Sequence, residues 1–169
     1  MIALFVFSLQ PLAGETKPHV SRLRYACNVG YSPHECQVAV TVLRHALAGY
    51  PVESLGEWTW ILVRSEDWKQ ILSIRRVDPN VPAFSYLPKR ETFLDGSLVV
   101  RASIHGVELR AIWHMPVEDL LDFAIRHELG HALCDERDES KAGRAAIALK
   151  NGTPLSCRVI EQASTTNQK

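Results

Sequence analysis

The chain has 169 residues, of which 46% are hydrophobic and 22% charged, a composition typical of a globular protein of one domain. Its 19 basic side chains equal its 19 acidic ones, so it lacks the basic excess of nucleic-acid-binding and membrane-surface proteins. We expect one domain at residues 15–163, a disordered polar tail at 164–169 and no nucleic-acid partner. No integral membrane span is expected, because no run reaches the roughly 18 apolar residues that a span needs. The sequence leaves the oligomeric state open.

The first 14 residues, MIALFVFSLQPLAG, carry no charge and begin with an apolar run. The small residues Ala13 and Gly14 precede the first charged side chain, Glu15. This pattern is typical of a signal peptide that has lost its basic first region, and it predicts a secreted or periplasmic protein. The alternative is a frayed apolar N-terminus or an additional strand.

Four cysteines are compatible with export. Cys27 and Cys36 are close in sequence, and Cys134 and Cys157 flank a segment near the C-terminus. An even number of cysteines suits two disulfides in an oxidising compartment, and the alternative is four reduced, partly buried thiols. The absence of a C-x-x-C pair argues against a zinc site built from the four thiolates.

The first half of the chain contains signals for two helices and a strand. The stretch SPHE at residues 32–35 is typical of a capping box with proline in the first turn, and Gly49 and Pro51 are expected to end that helix. The aromatic and β-branched run at 58–63 predicts a strand. A short helix is expected from residue 65 to about residue 74.

The middle of the chain is expected to contain a loop and a β-hairpin. Three prolines at residues 78–88 indicate a region that is mostly loop. The segments LVVRASI (98–104) and VELRAIW (107–113) alternate apolar and polar residues on either side of His105-Gly106. A two-residue turn there would place the apolar residues of both segments on one face, which predicts a hairpin.

Two helices are expected in the last third of the chain. Pro116 is favourable at the start of a long helix that reaches about Cys134. A charged turn at 135–138 separates it from a second helix over about Glu139 to Lys150, which asparagine, glycine and proline follow.

The long helix ends in the motif HELGH, which contains His127, Glu128 and His131. Positions i and i+4 of a helix project from one face, so the two imidazoles can converge on one metal ion. Glu128 lies about 100° around the helix from His127, beside such an ion rather than on it, where it can take a proton from water. The alternative is a pair of surface histidines that interact with Glu128.

This motif and the order of elements before it resemble the zincin metallopeptidases over about residues 93–150. The resemblance implies a zincin-like α+β fold with a small mixed or antiparallel sheet behind the helix, its edge strand aligning extended substrate. It also implies zinc ligation by His127 and His131, with Glu128 as the general base. The metzincin subclass requires glycine at position 134 and histidine at position 137, and Cys134 and Arg137 exclude it.

The third metal ligand is expected to be a carboxylate from the next helix, as in gluzincins. Glu139 is the preferred candidate, Asp138 and Glu136 are the alternatives, and a free Cys134 would be a rival soft ligand. Glu139 could instead be an acidic residue that interacts favourably with the N-terminal helix dipole.

Two features favour Glu139. It shares a helix face with Ala142, Ala146 and Leu149, which we expect to be buried, and a carboxylate on a buried face requires a partner. The stretch ESKA, which begins at Glu139, also resembles the E-x-x-A pattern that follows the motif in gluzincin-like families.

A site of this kind predicts a zinc-dependent peptidase that acts on a peptide or protein substrate. Three protein ligands leave a fourth position for water, which Glu128 would deprotonate. His114, Tyr86, His105 and Arg101 are the candidates for stabilising the oxyanion, and the sequence leaves the choice open. The alternatives are a non-proteolytic zinc-binding or regulatory module and a metal-dependent amidase acting on a cell-wall type of linkage.

Overall fold

The computed structural model describes residues 22–100 and 104–157, and for 104–106 the backbone alone. The predicted signal peptide at 1–14 and tail at 164–169 lie outside these residues. The described helices are Pro33–Leu47 (α1), Ser65–Arg75 (α2), Ile104–Trp113 (α3), Val117–Cys134 (α4) and Glu139–Lys150 (α5). The described strands are Arg22–Cys27 (β1), Glu57–Val63 (β2), Ala83–Tyr86 (β3) and Glu91–Asp95 (β4), and short 3₁₀ helices cover Val52–Leu55, Leu87–Lys89 and Gly96–Leu98.

The described strands form one mixed sheet in the order β1-β2-β4-β3. β1 and β4 run parallel to β2 on its two sides, and β3 pairs antiparallel with β4 at the edge. The α+β content agrees with the predicted fold class. The observed sheet places β3, rather than a later hairpin, next to α4.

Helices cover both faces of the sheet. Alternate side chains of β2, Trp58, Trp60 and Leu62, belong to a core that also contains residues of α1 and α4. The opposite face packs on α2 through a second cluster, in which Trp68 and Phe84 are buried. Because strand side chains alternate between faces, Ser85 on β3 lies on the face towards α4.

The prediction of a loop at residues 78–88 is wrong for Ala83–Tyr86, which forms β3. The prolines at 82 and 88 flank this strand rather than interrupt it, so the ladder with β4 loses no hydrogen bond to them. The pairing aligns Phe84 with Phe93, whose rings stack with centroids 4.8 Å apart. Pairing with a partner strand, which a local pattern does not reveal, decides this element.

The prediction of a hairpin at His105-Gly106 is also wrong. Residues 104–113 form α3, and Leu98 belongs to a 3₁₀ turn that directly follows β4. Leu109, only 2% exposed, and Trp113 stand at i and i+4, so the same apolar residues that suggested a period of two also fit a helix. Over only seven residues, the positions of the apolar residues do not distinguish the period of a strand from that of a helix.

The helix predictions on either side are confirmed. α1 begins with the capping box, in which the Ser32 amide donates to Glu35 and the Glu35 amide donates to the Ser32 hydroxyl. α2 spans Ser65–Arg75, α4 spans Val117–Cys134 with Pro116 at its N-cap, and α5 spans Glu139–Lys150.

Two disulfides are present, as expected from the even number of cysteines, and they pair Cys27 with Cys36 and Cys134 with Cys157. The sequence left this pairing open. The first joins the end of β1 to α1, and the second joins the end of α4 to the segment after α5. The pairing excludes Cys134 as a free thiolate ligand. Within residues 22–100 and 104–157, no helix has the length and apolar character that crossing a bilayer requires.

Candidate metal centre

The last turns of α4 place His127 and His131 on one helix face. Their Nε2 atoms lie 3.2 Å apart, so the two rings converge rather than diverge. The side chain of His131 is 9% exposed and that of His127 is 21% exposed. Both rings are thus held against the protein while one side of the pair remains accessible.

A short connection brings Glu139 to the same point. α4 ends at Cys134 and is followed by Asp135, whose backbone is left-handed. Asp138 caps α5 by accepting a hydrogen bond of 2.9 Å from the Lys141 amide. Glu139 is therefore the first residue of α5. Its Oε2 atom lies 2.8 Å from Nε2 of His127 and 3.5 Å from Nε2 of His131.

The three atoms have the spacing of a metal site. Bonds of about 2.0–2.1 Å around a tetrahedral ion place neighbouring ligand atoms about 3.3 Å apart. The distances here, 2.8, 3.2 and 3.5 Å, bracket that value. His127, His131 and Glu139 therefore form a group that can hold a metal ion, with a set of two nitrogens and one oxygen.

The tautomer of His131 suits ligation. Its Nδ1 atom lies 2.7 Å from the carbonyl oxygen of Glu136. Because a carbonyl can only accept, Nδ1 is the donor in this contact, and Nε2, which faces His127 and Glu139, is the nitrogen left to bind a metal ion. Hydrogen bonding of the second ring nitrogen to a carbonyl is a frequent feature of histidines that bind metals.

Close packing of α4 on α5 sets the distance between the histidines and Glu139. A Cβ atom on Gly130 would lie 2.5 Å from the backbone oxygen of Ala142, so a larger side chain would push the helices apart. Arg126, 7% exposed, ties the same pair of helices together by donating to the Ala146 carbonyl and to Asp122. The glycine inside the motif is therefore a contact point between α4 and α5.

Glu128 is buried next to this group. The residue is 4% exposed, and its Oε2 atom has no hydrogen-bond partner among the residues that the structure describes. Burial raises the pKa of Glu128 to about 7 and the nearby Glu139 carboxylate acts in the same direction, while His131 and a hydrogen bond from Ser85 lower it. A carboxylate with one oxygen unpaired in an apolar setting is well placed to accept a proton from a bound water.

Hydrogen bonds behind Ser85 orient its hydroxyl. The Trp58 indole donates to Thr92 Oγ1 over 3.0 Å, and Thr92 Oγ1 lies 2.8 Å from Ser85 Oγ. Since an indole N–H can only donate, Thr92 Oγ1 accepts from Trp58. A Thr92 proton directed at Ser85 then leaves the Ser85 proton for Glu128, in agreement with the hydrogen bond from Ser85 that lowers the pKa of Glu128. Thr92 and Trp58 are buried, so this chain of donors is held rigidly in the core.

The group opens into a cavity of about 650 Å³. β3 forms one wall, and the lining also includes His127, Glu128, His131 and Glu139. The ligand group and the buried carboxylate are therefore accessible from one common space, as a site that acts on an external molecule requires.

The other candidates from the sequence lie elsewhere or have other partners. Asp138 caps α5, and the Glu136 carboxylate accepts from two backbone amides and pairs with Lys141 at 3.2 Å. Of the four candidates for oxyanion stabilisation, Tyr86 lines the cavity, whereas His114 does not. Arg101 and the His105 side chain lie outside the described residues.

One expectation about Glu139 is wrong. The helix face that it shares with Ala142 and Ala146 is buried at those two residues, but the Glu139 side chain is 78% exposed. Glu139 stands at the first position of α5, where the helix enters the cavity mouth. Proximity to the histidines, not burial, makes it a ligand candidate.

Sequence reasoning did not find Ser85, Thr92 and Trp58 as partners of Glu128. The only local signal for Ser85 and Thr92 is that each is a polar residue on a largely apolar strand, β3 or β4. Strand pairing brings Ser85 opposite Thr92, and that register is not visible in either segment alone.

Comparison of the chain with protein-family models, with curated proteins and with solved structures finds no match.

Proposed function

We propose that the protein is a zinc-dependent peptidase of the zincin type. The proposal rests on one observation: the three potential ligands and the buried Glu128 carboxylate all line the same cavity. A purely structural metal site would be expected to be closed by four protein ligands, whereas three ligands beside an open cavity are typical of catalysis.

The ligand set favours zinc over other common ions. Magnesium and calcium prefer oxygen ligands throughout, whereas two imidazoles and one carboxylate suit zinc. The hydrogen bond from His131 to the Glu136 carbonyl supplies the outer support that such sites need. When bound, zinc supplies a Lewis acid that lowers the pKa of water towards neutrality.

The residues of the chain supply the proton chemistry. Glu128 takes a proton from the attacking water and passes it to the leaving amine, a role that suits a carboxyl group whose pKa is raised by burial. Ser85 donates to Glu128 and holds the carboxylate in place. Tyr86, on the cavity wall, is the described candidate for contact with the oxyanion.

An extended peptide is the substrate class that the cavity wall favours. β3 pairs with β4 on one side, and its other edge is free of strand partners among the described residues. An exposed strand edge can add a peptide by backbone hydrogen bonds. Two disulfides are compatible with action outside the cell, and we propose that the peptidase is secreted or periplasmic.

The test replaces Glu128 by Gln and measures both zinc content and hydrolysis of a quenched peptide library. Glu118→Gln, which alters an exposed carboxylate on the first turn of the same helix, is the matched control. We expect E128Q to keep about one zinc per chain and to lose roughly 10²–10⁴-fold in rate, the size of a general-base contribution. The control should match the wild type.

Other results would support the other functions. A wild-type protein that holds zinc but hydrolyses no peptide or amide would indicate a binding module. Hydrolysis restricted to non-peptide amides would indicate an amidase.

A further inference from the structure

The cavity has an apolar end on the N-terminal side of the metal group. Phe123, His127 and His131 follow one another at intervals of four residues, so they line one face of α4 over about 12 Å. The Phe123 and Trp113 rings lie 5.6 Å apart and both line the cavity. The Trp113 indole donates to the Asn80 carbonyl over 3.0 Å, which fixes this aromatic wall in position.

Arg137 also lines the cavity and lies in the turn that follows the C-terminal end of α4, whereas Phe123 lies one turn before His127 on the same helix. The turn that carries it is held at several points. The Glu136 carbonyl pairs with the His131 ring, and the Glu136 carboxylate accepts from the amides of Arg137 and Asp138, each over 2.9 Å. The backbone of Arg137 is therefore fixed relative to a metal ligand, although its side chain is exposed.

Among the described residues, none of the carboxylates that line the cavity, those of Asp78, Glu128, Glu136 and Glu139, forms an ion pair with Arg137. Arg137 is the one lysine or arginine among the described residues that line the cavity. Within residues 22–100 and 104–157, its guanidinium makes no ion pair or hydrogen bond. The nearest acidic groups in sequence have other partners, since Glu136 pairs with Lys141 and Glu139 with the histidines.

We propose that Arg137 binds a carboxylate of the substrate, so that the cavity selects peptides with an apolar side chain at the Trp113–Phe123 end and a carboxylate at the other. A guanidinium matches a carboxylate with two parallel hydrogen bonds. The carboxylate can be the C-terminus of the peptide or an Asp or Glu side chain. This inference rests on the proposed function, because it places the scissile bond between the two ends.

Binding of small zinc ligands to the zinc-loaded protein tests the inference without turnover. The probes are acetohydroxamate, succinic acid monohydroxamate, and a third compound in which an amide replaces the free carboxylate of the succinic acid probe. Their binding is compared by calorimetry at low salt. We expect the carboxylate probe to bind about fivefold or more tighter than its amide in the wild type, a preference that salt weakens. Arg137→Met should abolish the preference, and Arg137→Lys should retain part of it.

Arg144→Met is the matched control, because Arg144 is an exposed arginine on α5 outside the cavity lining. Its variant should keep the full preference. Equal binding of the carboxylate and amide probes by the wild type, or an undiminished preference in R137M, would overturn the inference and leave the peptidase proposal standing. Failure of all three probes to bind would overturn both.

Peptide substrates then separate the two sources of the carboxylate. One set of peptides carries a free or an amidated C-terminus, and a second set carries Glu or Gln near the cleaved bond. A preference for the free C-terminus would identify an exopeptidase, and a preference for Glu would identify an endopeptidase. Loss of the observed preference in R137M would support the inference. No preference in either set would contradict it.

Discussion

The α4–α5 corner and the edge of the sheet make different contributions to the candidate site. The corner holds all three potential ligands, with His127 and Glu139 only 12 residues apart in sequence. The sheet edge, here β3 together with the adjoining strands β4 and β2, holds the environment of Glu128, where Ser85, Thr92 and Trp58 meet through strand pairing. Metal binding thus depends on the α4–α5 corner, whereas the position of Glu128 depends on the sheet. Substitutions in the corner should therefore change zinc affinity, and substitutions in the sheet should change the rate of hydrolysis.

Removal of a ligand from the corner should have the largest effect. Removal of a residue that hydrogen-bonds to a zinc ligand typically lowers zinc affinity by roughly 10–100-fold. We expect a larger loss from His131→Ala, because this substitution removes the ligand itself. The measurement is competition with a chromophoric chelator. His45→Ala, which alters an exposed histidine of α1, is the control and should bind zinc as the wild type does. Unchanged affinity in H131A would contradict the assignment of the ligand.

The packing of the corner can be tested at two glycines. Gly130→Ala should separate α4 from α5, lower zinc affinity and destabilise the fold by about 1–3 kcal/mol, the usual cost of overpacking. Gly143→Ala has open space around the new methyl group and should stabilise α5 by about 0.5–1 kcal/mol. Denaturant unfolding of the apo proteins and zinc titration measure both. Equal effects of the two substitutions would show that the close approach does not matter.

At the sheet edge, Thr92→Val should leave zinc affinity unchanged but slow hydrolysis. The substitution deprives the buried Trp58 indole of its acceptor, at a cost of about 1–3 kcal/mol in unfolding free energy, and releases the Ser85 hydroxyl. Thr41→Val, on the exposed face of α1, is the control. Ser85→Ala should slow hydrolysis in the same way and Ser85→Thr should restore it. Loss of zinc in T92V would contradict the separation of the two regions.

Alkaline pH should weaken the contact between Tyr50 and Asp122 of α4. Burial, together with the hydrogen bond to Asp122, raises the pKa of Tyr50 to about 12 from 10.0. Because the folded pKa lies above the unfolded one, this contribution to stability is complete below pH 10 and is lost as the pH rises to about 12. Tyr50→Phe should therefore reduce the fall in thermal stability between pH 9 and pH 11. An identical fall in the variant would exclude this contribution.

Elements with strong local signals were predictable from the sequence. The capping box of α1, the helices α4 and α5, and the i, i+4 histidines all depend on residues a few positions apart. Glu139 was a candidate through the resemblance to gluzincins and through a helix face that we expected to be buried, and the second of these reasons was wrong.

Elements that depend on distant partners were not predictable. β3 exists because β4 lies beside it, and the prolines around it indicated a loop when viewed alone. The apolar residues of α3 fit two periods equally well, and only the position of Leu109 in the core distinguishes them. The surroundings of Glu128 follow from strand register and were missed with it.

X-ray absorption at the zinc edge of the loaded protein measures the proposed ligand set itself. We expect two nitrogen ligands at about 2.0–2.1 Å, one carboxylate oxygen at about 2.0–2.2 Å and one further light atom that exchanges with solvent. Glu139→Gln should change the oxygen shell and leave both nitrogens. Four protein ligands with no exchangeable position, or a metal bound without the two histidines, would contradict the proposed ligand set.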